Sequence, residues 1–155
     1  MKILILGHGR HGKDTAAHFM AGLTGLEFQS SSMFACQKFI SKELGYKSDM
    51  TCYRSRHSQR QKWYDLIKEY NTPDKSKLCR ELLNEYDIYV GMRDNKEYEA
   101  SKHLFDHIFW VDASERKPKD ETMKIEYNED EMTLIDNNLA IYHLFNQLHS
   151  RIFNL

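Results

Sequence analysis

These 155 residues lack a cysteine framework, a membrane-length apolar run and a surplus of either charge. The three cysteines, Cys36, Cys52 and Cys79, are odd in number and form no C-x-x-C pair. That argues against a disulfide scaffold or a zinc site and suits reduced thiols. No stretch approaches the roughly 18 apolar residues that a membrane span requires. The first apolar run, Ile3 to Leu6, is too short for a signal-peptide core and leads straight into glycines. The expectation is a soluble, cytoplasmic chain with no membrane partner. Lys+Arg 22 against Asp+Glu 23 leaves a formal charge of -1, so no global basic field argues for nucleic acid, although a local patch still could. Repeats and low-complexity segments are also absent. The length suits a single domain, residues 1–155, with a real core.

What is present is an alternation of short apolar runs with longer helical patterns, which predicts an α/β fold with a parallel sheet. Ile3 to Leu6, Leu26 to Phe28, Ile88 to Val90, Ile108 to Val111 and Thr133 to Ile135 read as five strands. Helices are expected over Lys13 to Leu23, Met33 to Leu44, from Ser58 through Tyr70, from Thr72 to about Tyr86, and from Asn95 to about His103. Ser58-x-x-Gln61 has the form of a capping box, and Thr72-Pro73 that of an N-cap followed by proline in the first turn. A last amphipathic helix should bury Ile141, Phe145, Leu148 and Ile152. The charged segment 114–124, SERKPKDETMK, reads as a mobile loop or small lid. Together these make a doubly wound, mainly parallel five-stranded sheet flanked by helices, with its sites beyond the carboxyl ends of the strands.

The first strand runs into GHGRHGKD, Gly7 to Asp14, and a helix follows. This is G-x-x-x-x-G-K-x in the strand–loop–helix context that a phosphate loop demands. Glycines at 7, 9 and 12 let the backbone curl its N–H groups around an anion. The helix N-terminus adds partial positive charge, and Lys13 can reach the outer phosphates of ATP. A Ser or Thr normally follows the lysine and holds Mg²⁺. Here Asp14 stands there, with Thr15 next. Asp14 either binds Mg²⁺, directly or through water, or accepts a proton, or merely complements the helix dipole. His8, Arg10 and His11 decorate the loop. Arg10 reads as a phosphate contact or as a solvated arginine.

The stretch GHGRHGKDT is similar to the phosphate loop of the phage deoxynucleoside monophosphate kinase group, in which G-K-D-T replaces G-K-S/T. DIYVGMRDNKEYEA (87–100), FWVDASERK (109–117) and LIDNN (134–138) echo that group in the same order, so the resemblance spans nearly the whole chain. It implies a nucleoside monophosphate kinase-like fold with a short lid, ATP and Mg²⁺, a deoxynucleotide acceptor, and a phage-encoded protein acting in its host's cytoplasm. It further implies that Arg93, just after the third strand, contacts the acceptor, that Glu97 or Glu99 supplies an acid there, and that Arg116 is a lid arginine neutralising charge in transfer. On a continuous helix Glu97 and Glu99 cannot share a face, so at most one meets the site.

Other positions remain open on the sequence. Arg54, Arg56, His57, Arg60 and Lys62 form a local basic patch. If Arg56 and Arg60 lie on one helix with Trp63 and Ile67, they extend its buried stripe toward the crevice and could bind substrate phosphate, but a cap at Ser58 would break that geometry. Asp112 has the form of a Walker B acid. Asp136-Asn137-Asn138 either faces the adenine or caps the last helix, and capping is the expectation. Three functions are compatible with these residues. One is a kinase for free deoxynucleotides. A second is a related phage kinase that phosphorylates the hydroxyl of a hydroxymethylated base such as 5-hydroxymethyluracil within DNA, favoured by the short lid and the basic patch. The third is a non-catalytic nucleotide-binding module. A GTPase switch is disfavoured, because NKEY at 95–98 lacks the final Asp of a guanine-reading motif.

Overall fold

The computed structural model describes residues 1–154. Five strands, β1 (Ile3–Leu6), β2 (Phe28–Ser30), β3 (Ile88–Val90), β4 (His107–Asp112) and β5 (Thr133–Asp136), form one sheet in the order β2-β3-β1-β4-β5. Every pairing is parallel, with Ile3 opposite both Ile88 and His107. All five runs lie where the apolar pattern puts them, displaced by no more than two residues.

The all-apolar β1 is a consequence of burial on both faces. Ile3 and Ile5 point to one side, where Ala16, Ala17 and Met20 of α1 (Lys13–Thr24) meet Leu144 and Leu148 of the last helix, α7 (Ile141–Ile152). Leu4 and Leu6 point to the other side. There they join Phe34, Trp63, Leu78 and Leu82 from α2 (Ser31–Ala35), α4 (Arg60–Tyr70) and α5 (Lys77–Glu85). Each fully buried Leu or Ile contributes about 1.5–3 kcal/mol of transfer free energy, so the central strand anchors both layers. The crevice therefore opens at the carboxyl end of β1, where the chain leaves for β3 on one side and β4 on the other.

Several local expectations give way to tertiary contacts. Beyond α2 the helix passes through a π-helical turn, Cys36–Ile40, before Ser41–Glu43. A further helix, α3 (Asp49–Ser55), is absent from the sequence reading; Ser48 caps it by accepting from the Thr51 amide, and it buries only Cys52. Ser58 does not cap α4. Its hydroxyl donates to the Ser55 carbonyl, Gln61 bonds Asp65 instead, and the helix starts at Arg60 after a 3₁₀ turn, Arg56–Ser58. Thr72 donates back to Lys68 O, closing the preceding helix rather than opening the next, so α5 begins only at Lys77.

Asp94 caps α6 (Asn95–Ser101) through the Glu97 amide, and a 3₁₀ turn, Lys102–Leu104, completes the segment. In α7 the buried stripe is rotated from expectation: Leu144 and Leu148 are buried, while Ile141 is 61% and Phe145 37% exposed. Two apolar stripes share Leu148 and Ile152, and docking on α1 selects the one with Leu144. Among the described residues, no helix is long and apolar enough to cross a membrane.

Candidate active site

The turn after β1 brings the loop back beneath the ends of β4 and β5. Gly12 sits at φ 97° against Asn137, whose amide donates to His11 O at 2.8 Å, so a side chain at 12 would meet both strain and collision. Asn137 and Asn138 are thus spent on the phosphate loop and on Asp112 and Asp136. The capping expectation for them is corrected, because α7 starts after Ala140 with no side-chain cap.

Both loop histidines dock the 113–120 segment. The Ala113 amide donates to His11 Nδ1 at 2.9 Å, which leaves the ring hydrogen on Nε2, 3.2 Å from the Pro118 carbonyl. The Asp120 amide donates to His8 Nδ1 at 3.0 Å. Burial, and then neighbouring His11, hold His8 below the ordinary histidine range, in keeping with an accepting ring nitrogen. The segment 114–124 is therefore fastened to the phosphate loop.

Lys13 arches over that loop and donates to His8 O at 2.7 Å. Its removal from water, and secondarily the charge of Arg93, lower its pKa to about 7. Asp14 is exposed on the first turn of α1 and lines the same cleft, with Thr15 half-buried beside it. Mg²⁺ typically keeps several waters and takes one or two protein carboxylates besides substrate phosphates. One exposed carboxylate at the mouth of a phosphate loop fits that demand. Among the described residues, no cluster of three metal-ligating side chains offers an alternative.

The cleft runs from Gly9 past β3 to α4 and α6 and is open to solvent. Arg60 and Arg93 both pair with the Asp120 carboxylate at its phosphate-loop end, and Arg93 also donates to Thr122 Oγ1 at 2.9 Å. Burial alone would raise the Asp120 pKa, but Arg93 and the Thr122 hydrogen bonds outweigh it and hold the carboxyl well below its usual range. Arg56 lines the cleft as well, although it precedes the helix that carries Arg60. Its guanidinium stacks 3.7 Å from the Tyr53 ring centre and donates to Tyr53 O at 3.0 Å.

Trp63, Tyr64, Ile67 and Met92 line the same cleft, with Glu97 among them. Glu97 is 3% exposed and accepts from the Tyr89 hydroxyl at 2.8 Å. Burial, assisted by Asp94, pushes its pKa up to about 7 despite that hydrogen bond. Among the described residues, Trp63 Nε1 meets no hydrogen-bond partner. Glu99 faces away and pairs with Lys102 at 2.9 Å, so only one of the two acids reaches the cleft.

The cleft thus unites Gly9, Arg10, Lys13, Asp14, Arg56, Arg60, Arg93 and Glu97. Arg116 lies apart, its Nε donating to Asn137 O at 2.6 Å on the β5 side of the loop. Asp112 is there too, accepting from Ser114 and Asn138. Sequence reasoning missed Asp120, Tyr89 and the docking work of the histidines. Tyr89 could have been found from strand alternation, since it points to the same face as the cleft helices. Asp120 carries no such signal, because its partners lie 27 and 60 residues away.

No protein-family model matches the chain, and no curated protein does. Solved structures do match. A gluconokinase from Sinorhizobium meliloti 1021 is 12% identical over 99% of this chain and 91% of its own, with a TM-score of 0.54. Shikimate kinase from Acinetobacter baumannii, in complex with shikimate, is 13% identical over 99% and 90%, with a TM-score of 0.53. TT1252 from Thermus thermophilus is 14% identical over 100% and 97%, with a TM-score of 0.54. What the chain shares with these proteins is the fold, a five-stranded parallel sheet flanked by helices.

Proposed function

We propose that the protein is an ATP-dependent P-loop kinase that transfers the γ-phosphoryl group to a deoxynucleotide. The observation that carries this reading is that Lys13, Arg60 and Arg93 line one cleft with the phosphate loop, together with the aromatic side chains Trp63 and Tyr64. Phosphoryl transfer needs positioning and charge neutralisation more than covalent chemistry, and these groups supply both. Gly7 to Thr15 cradle the triphosphate, and Lys13 neutralises its outer oxygens. Asp14 and Thr15 would hold Mg²⁺, which when bound neutralises phosphate charge. Arg93 and Arg60 orient the incoming phosphate, Trp63 and Tyr64 offer flat faces to a base, and Glu97 meets its polar edge. Arg116 belongs with the donor side, next to Asn137.

A second reading has its own support. A monophosphate acceptor attacks with an oxygen that is already anionic, whereas a hydroxyl must lose a proton. Glu97, buried in the cleft with a pKa near 7, has the protonation behaviour of a general base. Together with Arg56 and Lys68, which also line the cleft, it suits the hydroxyl of a hydroxymethylated base such as 5-hydroxymethyluracil in phage DNA.

Offering γ-labelled ATP and Mg²⁺ to deoxynucleoside monophosphates, and separately to duplex DNA with and without hydroxymethylated pyrimidines, separates the readings. Label in a diphosphate supports the first and label in modified DNA the second. ATP that binds but is never consumed with any acceptor leaves a non-catalytic nucleotide-binding module.

A further inference from the structure

Asp120 holds a position that its segment does not explain. Residues 114 to 119 are all exposed, yet the Asp120 side chain is only 7% exposed. Its carboxylate meets both cleft arginines, and its Oδ2 lies 2.7 Å from where a Cβ on Gly9 would sit. The Thr122 amide and hydroxyl donate to Oδ1 at 3.0 and 2.7 Å, completing the shell around the anion.

We infer that the Asp120 carboxylate is an internal stand-in for a substrate phosphate, filling the anion position between Arg60, Arg93 and Gly9 until an incoming phosphate displaces it. The inference rests on the cleft being the phosphate-transfer site.

Three features support it. First, the groups around the carboxylate are those that bind phosphate: two guanidinium forks and a glycine whose missing side chain leaves room for an anion against the backbone. Second, one carboxylate carries a single charge, whereas a phosphate brings more charge and three oxygens to the same two arginines and Lys13. The exchange is therefore favourable for phosphate. Third, the ties that bring Asp120 there are polar and reversible. His8 accepts from the Asp120 amide and His11 is 3.2 Å from Pro118 O, so the two histidines of the phosphate loop serve to seat the stand-in. In this exchange the Asp120 backbone moves with its carboxylate, so that its amide leaves His8 Nδ1. The anion position is thereby filled when no substrate is bound, and the His8 contact is released when substrate arrives.

The test measures binding of inorganic tripolyphosphate and of a deoxynucleoside monophosphate by calorimetry, to the unaltered protein and to Asp120→Asn and Asp120→Ala. An internal competitor reduces apparent affinity by the fraction of time that it leaves the site free. If the site is free about a tenth of the time, both variants bind about tenfold more tightly. Tightening for tripolyphosphate assigns the position to the donor, and tightening for the monophosphate assigns it to the acceptor. Hydrogen exchange on the unaltered protein supplies a readout that needs no variant: ligand should accelerate exchange of the Asp120 amide. Binding to the unaltered protein with no tightening in either variant, or slower exchange of that amide with ligand, overturns the inference and leaves the kinase reading standing. Failure of both probes to bind any form, including Asp120→Asn, overturns both.

Discussion

The Tyr89 hydroxyl donates to Glu97 Oε1 at 2.8 Å, in the wall of a cleft that also holds Lys13 and Arg93. One strand thus supplies, through its own side chain, the hydrogen bond that keeps a buried acid oriented. Just past the strand, Gly91 brings the backbone beside Lys13. Residues 89 to 97 thus contribute both a buried acid and an arginine to the cleft wall.

Glu97 makes stability pH-dependent in a stated direction. Its folded pKa is raised from 4.5 to about 7, so the unfolded chain ionises first as pH rises. This group's contribution is intact below about pH 4.5 and declines through pH 7, by about 3 kcal/mol in all. Glu97→Gln should flatten that part of the profile, as measured by urea unfolding at pH 5 and pH 8. An unchanged slope would show that Glu97 is not the group responsible. The same variant divides the functional readings. With a hydroxyl acceptor, kcat should fall by about 10²–10³, whereas with a monophosphate acceptor the change should appear mainly in KM.

Gly12→Ala should disrupt the phosphate loop. The new methyl meets Asn137 Nδ2 at a backbone φ of 97°, and Asn137 in turn holds His11 O. The expected cost is about 1–3 kcal/mol in thermal or denaturant unfolding, with loss of triphosphate binding. A variant of unaltered stability that still binds would mean that the loop accommodates a side chain there.

Arg93→Ala should cut kcat/KM for the acceptor by about 10²–10³ while changing the Kd for ATP by less than about threefold. Arg93→Lys should not restore it, because a lysine cannot reach Asp120, Thr122 or a phosphate with a planar fork. Parallel losses in ATP and acceptor binding would reassign Arg93 to the donor.

How much of this is legible in the sequence depends on the range of the interactions. The inner strands β1 and β3 are continuous buried runs, because the middle of a parallel sheet is covered on both faces. The edge strands β2 and β5 carry polar residues and are legible only in part. The phosphate loop is legible because its chemistry needs glycines and a lysine at fixed local spacing. Helix Asp49–Ser55 is not, since a seven-residue segment that buries only Cys52 has no stripe to read. The misread caps at Ser58 and Thr72 share one cause: a hydroxyl can bond backward as readily as forward, and tertiary packing decides which. Asp120 is the limiting case. Its role exists only because Arg60, Arg93 and His8 are assembled from three separate elements.

The protonation of Lys13 gives the sharpest solution signature. With a pKa near 7 in the unliganded protein, lowered first by burial and then by Arg93, its amine is largely neutral at pH 8. In the unfolded chain it stays protonated up to about 10.5, so neutralising it favours folding as pH rises through 7. A phosphate placed against it reverses the balance and restores the charge. Triphosphate binding at pH 8 should then take up close to one proton, about 0.9 by the titration of a group of pKa 7. Calorimetry in two buffers of different ionisation enthalpy reads this number directly. Lys13→Arg, which stays charged, should bind with no such uptake. If the uptake persists in Lys13→Arg, the proton belongs to another group, and Lys13 enters the complex already charged.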